Sequence, residues 1–262
     1  MRVILAGCAV LLGLVMCGLG YRAATDSEAP RALQVFCGAG LMHPMEEMRQ
    51  QFEADSGAPV RASYGGSGVL MGRLGSGRPC DVFIPGAARV VDDAARRGWV
   101  EPGTRLDLVL HVPVIAVSRS VAEAVGGLED LGRPGLRVGL GAPRACAIGE
   151  AAERILEQNG LREKVRPNVC VRASTVNQLL LYLATEHIDA AIIWEDMLHL
   201  PEAAGKVHSV RIPPSRNSVS TIAAARGSRA ESPQQAAAFI RFLASASARQ
   251  VWKRWGFTPC DE

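Results

Sequence analysis

Leu33-Gln34-Val35-Phe36-Cys37-Gly38-Ala39-Gly40-Leu41-Met42-His43-Pro44-Met45 opens the stretch that decides the fold. Val60-Arg61-Ala62-Ser63-Tyr64-Gly65-Gly66-Ser67-Gly68-Val69-Leu70 and Asp81-Val82-Phe83-Ile84 complete it. Leu33 to Cys37 and Val60 to Tyr64 are apolar runs of strand length, and each passes through small residues into helical spacing. The first helix runs through Met45, Met48 and Phe52, the second through Leu70 and Leu74. Pro44 suits a first helical turn, where its missing N–H costs nothing. With Asp81 to Ile84 as the next strand, this β-α-β-α-β run predicts parallel strands. Ala87 to Gly98 reads as a further helix, with Gly98 able to take the left-handed position that ends it.

The pattern then repeats. Val112 to Val117 and Leu136 to Leu140 read as strands, and Gly141-Ala142-Pro143-Arg144-Ala145-Cys146-Ala147-Ile148-Gly149 leads into a helix through Ala151, Ala152, Ile155 and Leu156, closed by Asn159-Gly160. Val169 to Val171 meets Ser174-Thr175 and a helix through Val176, Leu179, Leu180 and Leu183, followed by the strand Ala190 to Trp194. Two similar α/β halves are visible. The tail starts a helix at Ser232-Pro233, with Phe239, Phe242 and Leu243 at helical spacing, and is expected to return to the first half. The domains expected in the 262 residues are therefore 31–110 with 222–262, and 111–221.

Composition narrows function. The 29 Lys plus Arg against 26 Asp plus Glu, with no basic block, argue against nucleic acid as a partner. Six Phe, four Trp and three Tyr leave few stacking platforms, which favours a small ligand held by backbone and hydroxyl groups. Val3 to Gly20 is an uncharged apolar run behind Arg2, read as a secretory signal or uncleaved anchor over residues 1–24. Ala23 and Ala24 offer a cleavage site, and Leu14-Val15-Met16-Cys17-Gly18 resembles a lipoprotein box, so cleavage and a lipid anchor at Cys17 both stand as readings. Without residues 1–24, which hold Arg2, Arg22 and no acid, 27 bases face 26 acids, a formal charge of +1. Electrostatics alone then selects no partner. Five cysteines remain in a compartment that permits disulfides; spacing fixes no pairing, and Cys146 with Cys170 is the preferred pair because both sit near strand ends of the same half.

Four strand-to-helix junctions carry small or hydroxyl residues: Ala39-Gly40-Leu41, Gly65-Gly66-Ser67-Gly68, Ala147-Ile148-Gly149 and Ser174-Thr175-Val176-Asn177. Each sets free backbone N–H groups at a helix N-terminus. In open α/β sheets the ligand crevice lies beyond the carboxyl ends of the strands, so facing domains would aim all four at one cleft suited to a small anion. Arg144 is the one cation near them, able to screen an anion or sit on the rim.

These residues resemble the periplasmic molybdate/tungstate-binding proteins of ABC importers. Val35 to Leu41 with Pro44-Met45, Tyr64 to Leu70, Asp81 to Ile84, Pro143 to Gly149, Thr175-Val176-Asn177, Asp189 to Asp196, and Trp252, Trp255, Gly256 and Phe257 carry the likeness. The resemblance implies a two-domain type II periplasmic binding protein fold, α/β, each domain a mostly parallel sheet flanked by helices with the ligand cleft between. It also implies a periplasmic or extracytoplasmic monomer that captures a tetrahedral oxyanion and delivers it to ABC permease subunits, with no cofactor, no metal-cation site and no catalysis. The ligand-binding set it implies is Ala39, Gly40, Ser67, Ala147, Ile148, Val176, Asn177 and Trp194. Ser67 matches the family's second-loop serine; Gly40 stands where the family has a first-loop serine, and Trp194 where it has a tyrosine. Trp194 can donate its indole N–H or fill the cleft floor.

Rival readings follow from particular residues. Another small anion, sulfate or an organic acid, fits the same fold. Ferric-binding relatives need clustered tyrosines, whereas only Tyr64 and Tyr182 lie beyond the processing region. His43, His111, His187, His199 and His208 show no helical metal-ligand spacing and read as surface or core residues. A cysteine-nucleophile enzyme would need Cys37 or Cys146 with a depressed pKa at a helix N-terminus, and His43 lies near Cys37 in sequence. Glu46-Glu47 and Glu195-Asp196 read as solvated acidic faces.

Overall fold

The computed structural model describes residues 31–260, and within them each quoted apolar run becomes a strand. β1 (Leu33–Gly38) lies between β2 (Val60–Gly65) and β3 (Val82–Ile84), parallel to both. α1 (Met42–Ser56), α2 (Ser67–Gly75) and α3 (Ala88–Arg96) follow these strands in turn, and Gly98 takes φ +70° beyond α3. Side chains alternate across a pleated strand, so β1 serves two cores. Leu33, Val35 and Cys37 meet Met45, Met48 and Phe52 on one face, while Phe36 joins Leu70, Phe83 and Val91 on the other.

The sheet is completed by distant segments. β4 (Leu106–His111), β10 (Ser220–Arg226) and β11 (Thr258–Pro259) extend it in the order β11-β4-β10-β3-β1-β2, with β10 antiparallel to both β3 and β4. α7 (Pro233–Leu243) and α8 (Ala246–Arg254) cover its Leu33 face: the Phe239 ring meets Phe52 edge-on at 4.9 Å, and Trp252 meets Phe257 at 5.1 Å. Asp81, 1% exposed, ties this tail to the sheet. Its carboxylate accepts from Gln34 N at 2.7 Å and from Glu231 N at 2.8 Å, ahead of α7.

The second sheet has the order β7-β6-β8-β5-β9. β6 (Val138–Gly141), β7 (Val169–Ala173) and β8 (Ala190–Trp194) are parallel; β5 (Pro113–Ser118) runs antiparallel to β8 and to β9 (Val207–Arg211). α4 (Ala147–Gln158), a short α5 (Arg162–Val165) and α6 (Val176–Ala184) flank it. Asp189 repeats here what Asp81 does in the first lobe: placed just before β8, it accepts from the backbone N of Arg137 at 2.7 Å and pairs with the Arg137 guanidinium at 2.6 Å. The architecture is a two-domain type II periplasmic binding protein fold.

The preferred Cys146–Cys170 disulfide is not formed: both thiols are free. Strands β6 and β7 are parallel, and the two cysteines sit at opposite ends of that pair. Cys146 Sγ lies 3.6 Å from Ala173 O, whereas Cys170 Sγ lies 3.5 Å from Val138 O, three residues earlier along the sheet, or about 10 Å. A disulfide needs Cα atoms closer than about 7 Å. The expected signal or anchor, with Cys17, Ala23 and Ala24, lies outside the described residues.

Candidate functional site

Strands β1, β2, β6 and β7 all end at the same place, and so the four junctions meet. Ala39, Gly40, Ser67, Ala147, Ile148, Val176 and Trp194 line one cavity of about 30 Å³, together with Gly86, His111 and Thr175. That is room for roughly two or three water-sized spheres, enough for a compact anion and too little for a sugar or an amino acid. Asn177 falls outside it. It lines a neighbouring cavity with Met42, His43 and Leu181.

The lining is largely apolar, and its polar groups include several donors. The N–H groups of Ala147, Ile148 and Val176 belong to the first turns of α4 and α6, and Ser67 opens α2, so none has a carbonyl one turn earlier in its own helix. Thr175 caps α6 by accepting from Gln178 N at 3.3 Å. Ser67 is 7% exposed, and its hydroxyl has no partner among the described residues. Trp194 is 2% exposed and ends β8. Buried tryptophans ordinarily find an acceptor, as Trp252 does at Leu243 O (3.1 Å) and half-buried Trp255 does at Glu47 (3.0 Å). No acceptor among the described residues meets Trp194 Nε1, on a ring that lines the cavity.

Two carbonyls near the cavity are already engaged. The Gly86 carbonyl lies 2.9 Å from His111 Nδ1, and the Ala145 carbonyl at the rim accepts from Gly68 N at 2.9 Å. His111, 2% exposed, stacks on Trp194 with centroids 3.6 Å apart, and its Nε2 lies 3.1 Å from Asp196 Oδ1. That is ion-pair distance, though not the alignment of a hydrogen bond. By its sequence context His111 is a surface or core residue and Asp196 part of a solvated acidic face. Asp196 is instead 5% exposed, and it meets His111 where β4 leaves the first sheet. No local pattern joins positions 86, 111 and 196; only the packing of the two sheets does.

The lobes touch through glycines. A Cβ at Gly66 would sit 2.5 Å from Ala145 O and 2.6 Å from Ser174 O, and one at Gly68 would sit 2.2 Å from Arg144 O. Gly40 is similarly constrained: a Cβ there would lie 3.0 Å from Val176 Cγ1. A serine at position 40 would crowd Val176, so the missing hydroxyl accompanies a tighter fit. Arg89 on α3 pairs with Glu150 on α4 across the rim, while Arg144 is exposed and takes no part in the lining.

The thiols are unlike nucleophiles. Burial pushes the Cys37 and Cys146 thiols up, and Cys80 up to about 12, whereas a nucleophile needs a depressed value. His43 stacks on Trp255 at 5.2 Å. Tyr64, a residue that ferric binding would need, donates its hydroxyl to Glu46 at 2.6 Å.

Residues 33–258 match the family model described as bacterial extracellular solute-binding protein. A "putative binding protein" of Haemophilus influenzae is 34% identical over 170 residues, 64% of this chain and 68% of that protein. The molybdate-binding protein ModA of Escherichia coli is 21% identical over 231 residues, covering 86% of this chain and 88% of its own. Among solved structures, the periplasmic molybdate-binding protein of Azotobacter vinelandii superposes with a TM-score of 0.75 at 19% identity, covering 86% of this chain and 98% of its own. The sulfate-binding protein SubI of Mycobacterium tuberculosis gives 0.78 at 18% identity, covering 88% and 87%. The chain belongs to the bacterial extracellular solute-binding proteins.

Proposed function

We propose that this protein captures a fully deprotonated tetrahedral oxyanion, molybdate or tungstate, outside the cytoplasm and delivers it to the membrane subunits of an ABC transporter. The observation that carries this reading is the cavity itself: residues from four helix starts, with Ser67 and Trp194, line about 30 Å³, and the Gly86 carbonyl there is already held by His111. Hydrogen bonds to an ionised acceptor are short and strong, so neutral donors suffice if they are pre-aimed. A protonated anion would have to use the Ser67 hydroxyl as an acceptor and so lose a donor. The small volume disfavours organic acids and phosphorylated sugars, while sulfate remains a competitor of the same shape.

In this reading 31–110 with 222–262 and 111–221 are the two closing lobes, hinged where β4 passes to β5 and β9 to β10, and residues 1–24 direct export. Ala39, Gly40, Ser67, Ala147, Ile148, Val176 and Trp194 supply the donors. Closure excludes water and leaves the anion to these groups. Calorimetric titration of residues 25–262 with tungstate tests the reading. Submicromolar binding is expected, and Ser67→Ala should weaken it by about 1.5 to 3 kcal/mol, the range for a hydrogen bond to a charged group. Unchanged affinity would remove Ser67 from the site; no heat with tungstate or molybdate would remove the function.

A further inference from the structure

His111 ends β4 in the wall of the cavity, with Gly86 O 2.9 Å from Nδ1 and Asp196 Oδ1 3.1 Å from Nε2. A carbonyl and a carboxylate are both acceptors. A pair holding one proton would bond it to Gly86 and turn the bare Nε2 lone pair on the carboxylate. It would also leave a negative charge, screened by little water, beside the anion cavity. A second proton, on Nε2 or on Asp196, removes both the lone-pair conflict and the net charge.

We propose that the His111–Asp196 pair is a specificity-determining element that makes anion capture proton-linked: the cavity accepts its ligand with the second proton in place and disfavours it without. This rests on the oxyanion reading above. Asp196 is the titratable group that meets the ring. The other packed groups are neutral: Gly86 before α3, Trp194 on β8, Phe257 at 5.9 Å, and Ser220 across the ladder on β10. On the segment that carries Asp196, Glu195 faces Arg211 at 3.7 Å and His199 packs on Gly256.

Calorimetry of the mature chain with tungstate, from about pH 6 to about pH 9 in buffers of different ionisation heat, counts the protons taken up. The expected dissociation constant is level at the acid end. Above the pair's titration it rises toward about tenfold per pH unit, with uptake approaching about one proton per anion. Asp196→Asn, whose amide can donate to Nε2 with no second proton, should abolish both effects. Nitrogen NMR of the His111 ring should report loss of the second proton over the same pH range. A wild-type dissociation constant that stays level throughout overturns the proposal and leaves the oxyanion reading intact. Absence of binding heat for every oxyanion at every pH overturns that reading and this proposal with it. Should Asp196→Asn fail to fold, the wild-type proton count decides.

Discussion

Gly68→Ala should separate closure from folding. Gly68 lies in the first turn of α2, and all three near neighbours of a Cβ built there belong to Arg144 and Ala145 of the opposite lobe, the nearest being Arg144 O at 2.2 Å. Restoring ordinary contact moves that carbonyl back by about 1 Å, enough to forfeit much of the local packing attraction. The Gly68 N to Ala145 O hydrogen bond, now 2.9 Å, would stretch beyond bonding range. Losing it costs about 0.5 to 1.5 kcal/mol, and overpacking a fitted contact costs about 1 to 3 kcal/mol. A combined effect of about 2 kcal/mol or more corresponds to roughly 30-fold weaker binding. In the separated lobes the methyl meets none of these atoms, and alanine is the better helix former by up to about 1 kcal/mol. The ligand-free melting temperature should therefore hold or rise while tungstate affinity, read by calorimetry, falls. Wild-type affinity in the variant would refute the closure argument. A ligand-free melting temperature several degrees lower would show that the glycine serves the fold instead.

Trp194→Phe keeps a ring stacked on His111 and deletes the indole donor, so tungstate affinity should fall by about 1.5 to 3 kcal/mol, roughly ten- to hundredfold; an unaltered isotherm would make Trp194 packing alone. Under native conditions a thiol reagent should modify exposed Cys170 first and leave Cys37, Cys80 and Cys146 protected until denaturant is added. Native-state labelling of Cys37 or Cys146, read by peptide mass, would restore the nucleophile reading. For Asp189, burial raises the carboxyl pKa but the hydrogen bonds from Arg137 bring it below the usual carboxylate range. A depressed folded pKa means stability that is present above the unfolded value, about 3.9, and lost as pH falls through the folded one. Arg137→Ala should thus lower the urea midpoint at neutral pH, with the gap narrowing on acidification; a gap independent of pH would contradict it.

Local signals carried the parallel strands and the four junctions. Leu33 to Cys37 and Ala190 to Trp194 are apolar runs bounded by small or acidic residues, and Gly98 stops α3 where its sequence says it should. β10 escaped because Ala223-Ala224-Ala225 favours a helix by propensity, yet burial between β3 and β4 selects small residues in a strand. Asn177 stands beside Val176 in sequence, but successive helical residues point about 100° apart, and Asn177 lines the next cavity. His111 and Asp196 were illegible for a different reason: their meaning lies in a contact between residues 85 positions apart.

Direct comparison of tungstate, molybdate, sulfate and phosphate binding to one preparation at neutral pH, by calorimetry, tests most plainly whether the cavity offers donors and little else. Tight binding of the proton-free dianions with phosphate at least tenfold weaker is the expected result, on the order set by one unpaired hydrogen-bonding group. Phosphate bound as tightly as molybdate or tungstate would contradict it, because the Ser67 hydroxyl or another wall group would then be accepting the phosphate proton at no cost in donors.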